Sequence, residues 1–141
     1  MLAVVALPAA EVFRPKVVVV TMFEIGEPTG DRPGELQYWV EREGLDRTIA
    51  VPAAPHPLHA NPDVSVVALL TGVGNTNAAA AVMALGLDPR FDLRRTYWLV
   101  AGIAGVDPAD ASLGSAAWAQ HVVEGDLAHE FDVREIPEDW P

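Results

Sequence analysis

The chain has 141 residues, a length typical of one domain, and half of its residues are hydrophobic, which is enough to form a core. Its 20 acidic and nine basic side chains give a formal net charge of −11, which argues against nucleic acid as a partner because phosphates are bound by clusters of Lys and Arg. Cysteine is absent, which excludes disulfides and thiolate metal sites, and the four histidines lack the spacing of a zinc site.

The first ten residues, MLAVVALPAA, are apolar and end in small residues. One interpretation is the remnant of a secretory signal peptide, which would make the protein an exported one, periplasmic or extracellular. The other is a simple apolar tail. No transmembrane segment is predicted, because the uncharged stretch at residues 97–106 is far shorter than the ~20 residues that a spanning helix needs.

The first predicted elements are a strand and a helix. The β-branched run KVVVVT at residues 16–21 is apolar on both faces, as in a buried parallel strand. After a loop at residues 22–32, apolar residues recur with helical spacing, and Gly44 ends the pattern. Asp31 is the predicted cap of this helix, with Pro33 in its first turn.

The rest of the chain continues the alternation of strands and helices. The helix at residues 76–85 is apolar nearly all round, so we expect it to be buried between layers. The other predicted elements are a short strand at 48–51, a proline-rich loop at 52–62, buried strands at 64–70 and 95–100, and a further strand at 115–123. This order predicts an α/β fold with a largely parallel sheet and flanking helices.

Ligands of open α/β sheets bind beyond the carboxyl ends of the strands, and this rule selects three loops. The glycine-containing loops allow backbone to approach a ligand closely, although tight strand-to-helix turns explain the same pattern. In the loop after the first strand, Glu24 and Glu27 are candidate catalytic residues, able to accept hydroxyl hydrogen bonds or act as a general base; the alternative is two solvated carboxylates. The candidate substrate-binding residues are Gly74, Asn75, Gly102, Ile103, Ala104 and Gly105.

Four ordered segments resemble successive blocks of the purine nucleoside permease family. They are KVVVVTMFEIGEPTGDRPGELQYWVEREGL at 16–45, TGVGNTNAAAAVMALGLDPRFDL at 71–93, YWLVAGIAGVDP at 97–108 and VEGDLAHEFDVREIPEDW at 123–140. The resemblance implies that residues 16–141 are the N-terminal part of a nucleoside phosphorylase-like fold, with an incomplete site, preceded by an apolar tail at residues 1–15. The acidic residue that contacts the nucleophile or ribose in that fold corresponds best to Glu24.

The same resemblance implies purine nucleoside binding, which in the intact family member supports nucleoside uptake. The alternatives are a nucleoside phosphorylase or hydrolase that cleaves the N-glycosidic bond, with phosphate or water as co-substrate, and an inactive truncated fragment. No cofactor is implied, and a homo-oligomer stays open. Ile103 and Val100 stand where phosphorylases carry a serine and an arginine, so we expect no phosphate site in this segment.

Overall fold

The computed structural model describes residues 12–125 and 132–138, and the chain divides into two compact units. The first, Met1–Ala104, contains every strand and both α-helices of the described residues. The second, Gly105–Pro141, contains one short 3-10 helix at Val133–Glu135 in its described part. The predicted apolar tail at residues 1–15 lies largely outside the described residues, as does part of the block at 123–140.

The first unit is an α/β structure with one sheet of five strands in the order β2-β3-β4-β1-β5. Strand β1 pairs in parallel with β4 and with β5, whereas β3 is antiparallel to both β2 and β4. In chain order the elements are β1 (Val17–Thr21), α1 (Gln37–Glu43), β2 (Arg47–Ile49), β3 (Leu58–Ala60), β4 (Val66–Leu70), α2 (Asn75–Gly86) and β5 (Tyr97–Val100).

The α/β class is confirmed, but the prediction of a largely parallel sheet is wrong, since the sheet is mixed and two of its four pairings are antiparallel. The reason lies in the proline-rich segment at 52–62, which is predicted to be a loop but contains β3. Leu58 and Ala60 are buried there, with half-buried His59 between them. This strand reverses the chain direction between β2 and β4.

The alternation of side chains along β1 divides the core between the two faces of the sheet. Val18 and Val20 pack on the face that carries α2, together with its residues Ala81 and Leu85. Val19 packs on the other face with residues of α1 and its flanking turns: Leu36, Val40 and Leu45. Strands buried on both faces are the reason that the valine run of β1 lacks polar alternation.

Helix α1 ends as the sequence predicts, because Gly44 adopts a left-handed conformation with φ 60° and its backbone N–H bonds the Val40 carbonyl. Its start differs from the prediction. The helix begins at Gln37, and Asp31 instead accepts a hydrogen bond from the Glu27 backbone N–H at 3.0 Å. The predicted cap is therefore a loop-stabilising residue.

Three further predictions about elements are wrong. Helix α2 is buried only at Ala81 and Leu85, because these are the residues that it packs against the sheet. Strand β5 is predicted to be buried, but it lies at the edge of the sheet and most of its side chains are exposed. The segment at 115–123 forms no strand. Among the described helices, none combines the length and apolar character needed to span a bilayer.

Candidate functional site

The connections that leave β4 and β1 pass to opposite faces of the sheet. These neighbouring strands run in parallel, and the connection after β1 leads to α1 on one face whereas that after β4 leads to α2 on the other. In open α/β sheets, ligands bind at the carboxyl ends of strands whose connections diverge in this way. The loop after β5 begins at the same edge, because Val20 is in register with Val100.

The carboxylate of Glu24, in the loop after β1, accepts four backbone hydrogen bonds. Oε1 accepts from the N–H groups of Ile25, at 2.8 Å, and Gly34, and Oε2 accepts from those of Leu36, at 2.8 Å, and Gln37, at 2.5 Å. Two of these amides lie at the start of α1, where backbone N–H groups have no acceptor within the helix. Glu24 supplies that acceptor, although it belongs to the preceding loop. Since a carboxylate has about four acceptor positions, all of them are engaged.

Glu35 is a second carboxylate at this edge, and sequence reasoning missed it. It is only 8% exposed. Its Oε2 accepts from the Met22 N–H at 2.7 Å, after β1, and its Oε1 accepts from the Ile103 N–H at 2.8 Å, after β5. Glu35 therefore joins two of the three loops. The only signal in the sequence is an acidic residue directly before the apolar helical pattern, a place where solvated carboxylates are common.

Two glycines allow the close packing around these carboxylates. A Cβ at Gly34 would lie 2.7 Å from Glu24 Oε1 and 2.8 Å from Glu24 Cα. A Cβ at Gly102 would overlap Met22 Cε and lie 3.2 Å from Glu35 Oε1. The sequence predicts that Gly102 allows close approach of a ligand, and in the structure the side chains of Met22 and Glu35 lie close to it.

Two buried polar atoms at this edge have no hydrogen-bond partner in the described part of the chain: Thr21 Oγ1 and Gln37 Oε1. Thr21 ends β1 and is fully buried, and Gln37 begins α1. The Gln37 side chain is nevertheless oriented, because its Nε2 donates to Glu41 Oε1 at 2.8 Å. Buried polar groups normally find a partner, so these two atoms mark a place where the polar network is incomplete.

The structure brings together some of the predicted site residues and separates others. Gly102 and Ile103 lie beside the loop that holds Glu24, through the Glu35 bridge. The remaining predicted residues are exposed. Glu27 lies in the loop after β1, Gly74 and Asn75 begin α2, and Ala104 ends the first unit, whereas Gly105 belongs to the second unit. No group of three potential metal ligands occurs within residues 12–125 and 132–138.

The fold is an α/β structure with a mixed sheet, and in this class of proteins ligands commonly bind beyond the carboxyl ends of parallel strands. The chain belongs to the purine nucleoside permease (NUP) family, whose model matches residues 14–141. The family prediction made from the four segments is thus confirmed. No solved structure matches the chain.

Two fungal relatives are similar to nearly the whole chain. A probable purine nucleoside permease of Schizosaccharomyces pombe is 36% identical over 137 residues, which cover 89% of this chain and 35% of the relative. A purine nucleoside permease of Candida albicans is 29% identical over 135 residues, which cover 92% of this chain and 31% of the relative. The chain therefore spans about a third of the length of these relatives.

Proposed function

We propose that the carboxyl edge of β4, β1 and β5 forms part of a purine nucleoside-binding site, in a protein that supports nucleoside uptake and whose complete fold is nucleoside phosphorylase-like. Membership of the permease family and the names of the relatives support this function. The divergent connections after β4 and β1 support the position, because ligands of open α/β sheets bind at the carboxyl ends of strands whose connections diverge in this way.

The observation that carries the proposal is the charge of this edge. The carboxylates with defined contacts in and beside the loop after β1 are Glu24, Asp31, Glu35 and Glu41, and none of them forms an ion pair with a described residue. Such an edge suits a neutral ligand rich in hydroxyl and amide groups, as a nucleoside is, and disfavours an anion. The Ile103 N–H, a donor that could hold a phosphate oxygen, is already bonded to Glu35. This contact supports the absence of a phosphate site here.

The contacts of the two predicted catalytic residues suggest different roles for them. Glu24 would act chiefly by fixing the start of α1 and the loop around it, since its acceptor positions are filled by backbone amides. Contact between Glu24 and a ribose hydroxyl would require one amide to be released. Glu27 is exposed and its side chain is available to a ligand, so its catalytic or binding role stays a proposal.

Gly102 provides the test. In a full-length family member, Gly102→Val should weaken purine nucleoside binding by about tenfold or more, since the added side chain displaces Met22 and the Glu35 bridge. The matched control is Gly86→Val, at a position where a Cβ meets no neighbour within 4 Å. Calorimetric titration with adenosine and with uridine measures both affinity and preference for purines. Unchanged adenosine affinity in the Gly102 variant would contradict the proposed site.

A further inference from the structure

The strongest concentration of positive charge lies at the opposite end of the sheet, before β1 and β5. Four of the nine Lys and Arg residues of this acidic chain line one cavity, which is open to solvent and has a volume of about 630 Å³. We name it the basic cavity, and its lining residues are Arg14, Pro15, Lys16, Asp92, Arg94 and Arg95. None of them belongs to the candidate nucleoside site.

Backbone hydrogen bonds hold the two segments that form the basic cavity side by side. The Asp92 N–H donates to the Phe13 carbonyl at 2.8 Å, and the Tyr97 N–H donates to the Lys16 carbonyl at 2.8 Å. The Thr96 hydroxyl donates to the Pro15 carbonyl at 2.7 Å. The cationic side chains therefore project from a fixed backbone. Less conformational entropy of the chain is then lost when an anion binds.

The carboxylates near these cations do not neutralise them. Asp92 pairs with Arg94 at 2.7 Å and with Arg14 at 3.4 Å, and the Arg94 hydrogen bonds hold the pKa of Asp92 well below its usual range. Lys16 and Arg95 have no ion pair with a described residue. The pKa of Asp63 is lowered chiefly by hydrogen bonds from Ser65, and the positive charge of Lys16 adds to this effect. Within the part of the chain that the structure describes, four cations thus have two carboxylates near them.

We propose that the basic cavity is a second binding site, for a small anion that carries more than one phosphate charge. Its volume lies within the range of small-molecule sites. Nucleic acids and anionic bilayers present extended negative surfaces, which the net charge of −11 on the whole chain repels. The five residues of β1 separate this cavity from the candidate nucleoside site by about 16 Å, so the two sites are distinct.

Sodium tripolyphosphate is a suitable probe, titrated calorimetrically into the 141-residue chain at low ionic strength. We expect one site per chain, and we expect Arg94→Gln to weaken binding by about tenfold or more, because a charge-assisted hydrogen bond is lost. The matched control is Arg134→Gln. Arg94 and Arg134 are both 86% exposed, and each pairs with the aspartate two residues before it, but Arg134 lies in the second unit. This control should stay within about twofold of the unmodified chain.

Lys16→Gln gives an independent measurement, because Lys16 has no ion pair with a described residue whose loss could disturb the fold. Equal effects of the Arg94 and Arg134 substitutions, or an unchanged affinity in the Lys16 variant, would overturn the proposal. Tighter binding to single-stranded DNA or to phosphatidylserine vesicles than to tripolyphosphate would also overturn it. Adenosine binding by the same variants reports separately on the nucleoside site, so the two proposals can fail independently.

Discussion

At the scale of single residues, two glutamates at the sheet edge show how a carboxylate can organise backbone. Glu24 accepts from the amides of its own loop and of the start of α1, and Glu35 joins the loops after β1 and β5. Both act on segments that lack regular secondary structure and would otherwise leave amide donors without acceptors. The geometry of the candidate site therefore depends on these two charges before any ligand arrives.

Replacement of Glu24 by Gln should lower the free energy of unfolding by about 1.5–3 kcal/mol, because a carboxylate bonded by amide donors gives way to a group with one acceptor oxygen. The melting temperature should fall by several degrees. The control is Glu27→Gln, at an exposed position in the same loop. If the two variants have the same melting temperature, Glu24 does not stabilise this part of the fold. Contact with a ligand would then be the better explanation for a carboxylate at position 24.

His59 should make stability depend on pH. It lies in β3 between β2 and β4, and burial lowers its pKa below the ordinary 6.5, more strongly than a hydrogen bond with the Leu45 backbone raises it. As the pH falls, His59 is therefore protonated at a higher pH in the unfolded chain than in the folded one. The free energy of unfolding consequently falls as the pH drops below 6.5. His59→Gln should flatten this dependence in urea unfolding measured between about pH 5 and 8.

A matched control is available, since His56→Gln makes the same change at an exposed loop position. The described aspartates with a lowered pKa are Asp63, Asp88, Asp92 and Asp132, and the stability that they contribute is fully present above pH 3.8 and is lost as the pH falls below it. Their effect is thus separated from that of His59. An identical loss of stability near pH 6 in both histidine variants would contradict the role of His59.

At the scale of elements, the position of a strand in the sheet decides its burial more than its composition does. β1 and β5 are both apolar, but β1 lies between two strands and under both helices, whereas β5 pairs with β1 alone among the described strands. Val100 of β5 is consequently 71% exposed. An edge of this kind offers unpaired backbone groups to another strand.

We expect the 141-residue chain to self-associate through β5, and Val100→Lys should reduce this association, because a charged edge strand disfavours pairing. Sedimentation velocity over a range of concentrations measures it. Leu87→Lys, at a position of similar exposure outside the sheet, adds the same charge and should leave association unchanged. Both variants should keep their stability within about 0.5 kcal/mol. Equal suppression by the two would show that net charge, not the edge, governs association.

At the scale of the whole molecule, charge is distributed by region. The carboxyl edge of the sheet carries the two engaged glutamates, and the opposite end carries four of the nine cations. A neutral nucleoside at one end and a phosphate-bearing anion at the other would each meet the electrostatic environment that suits it. Because the chain spans about a third of its relatives, the activity of the complete protein is part of the proposal.

The sequence alone determined what depends on local pattern and on composition. The valine run of β1 and the helical spacing that ends at Gly44 could be predicted because each depends on neighbouring residues. The α/β class and the family could be predicted from the order of such segments along the chain. Contacts between distant segments decided the rest. The short β3 among prolines, the exposed edge at β5 and the Glu35 bridge between Met22 and Ile103 depend on which strands become neighbours, and no local periodicity encodes that choice.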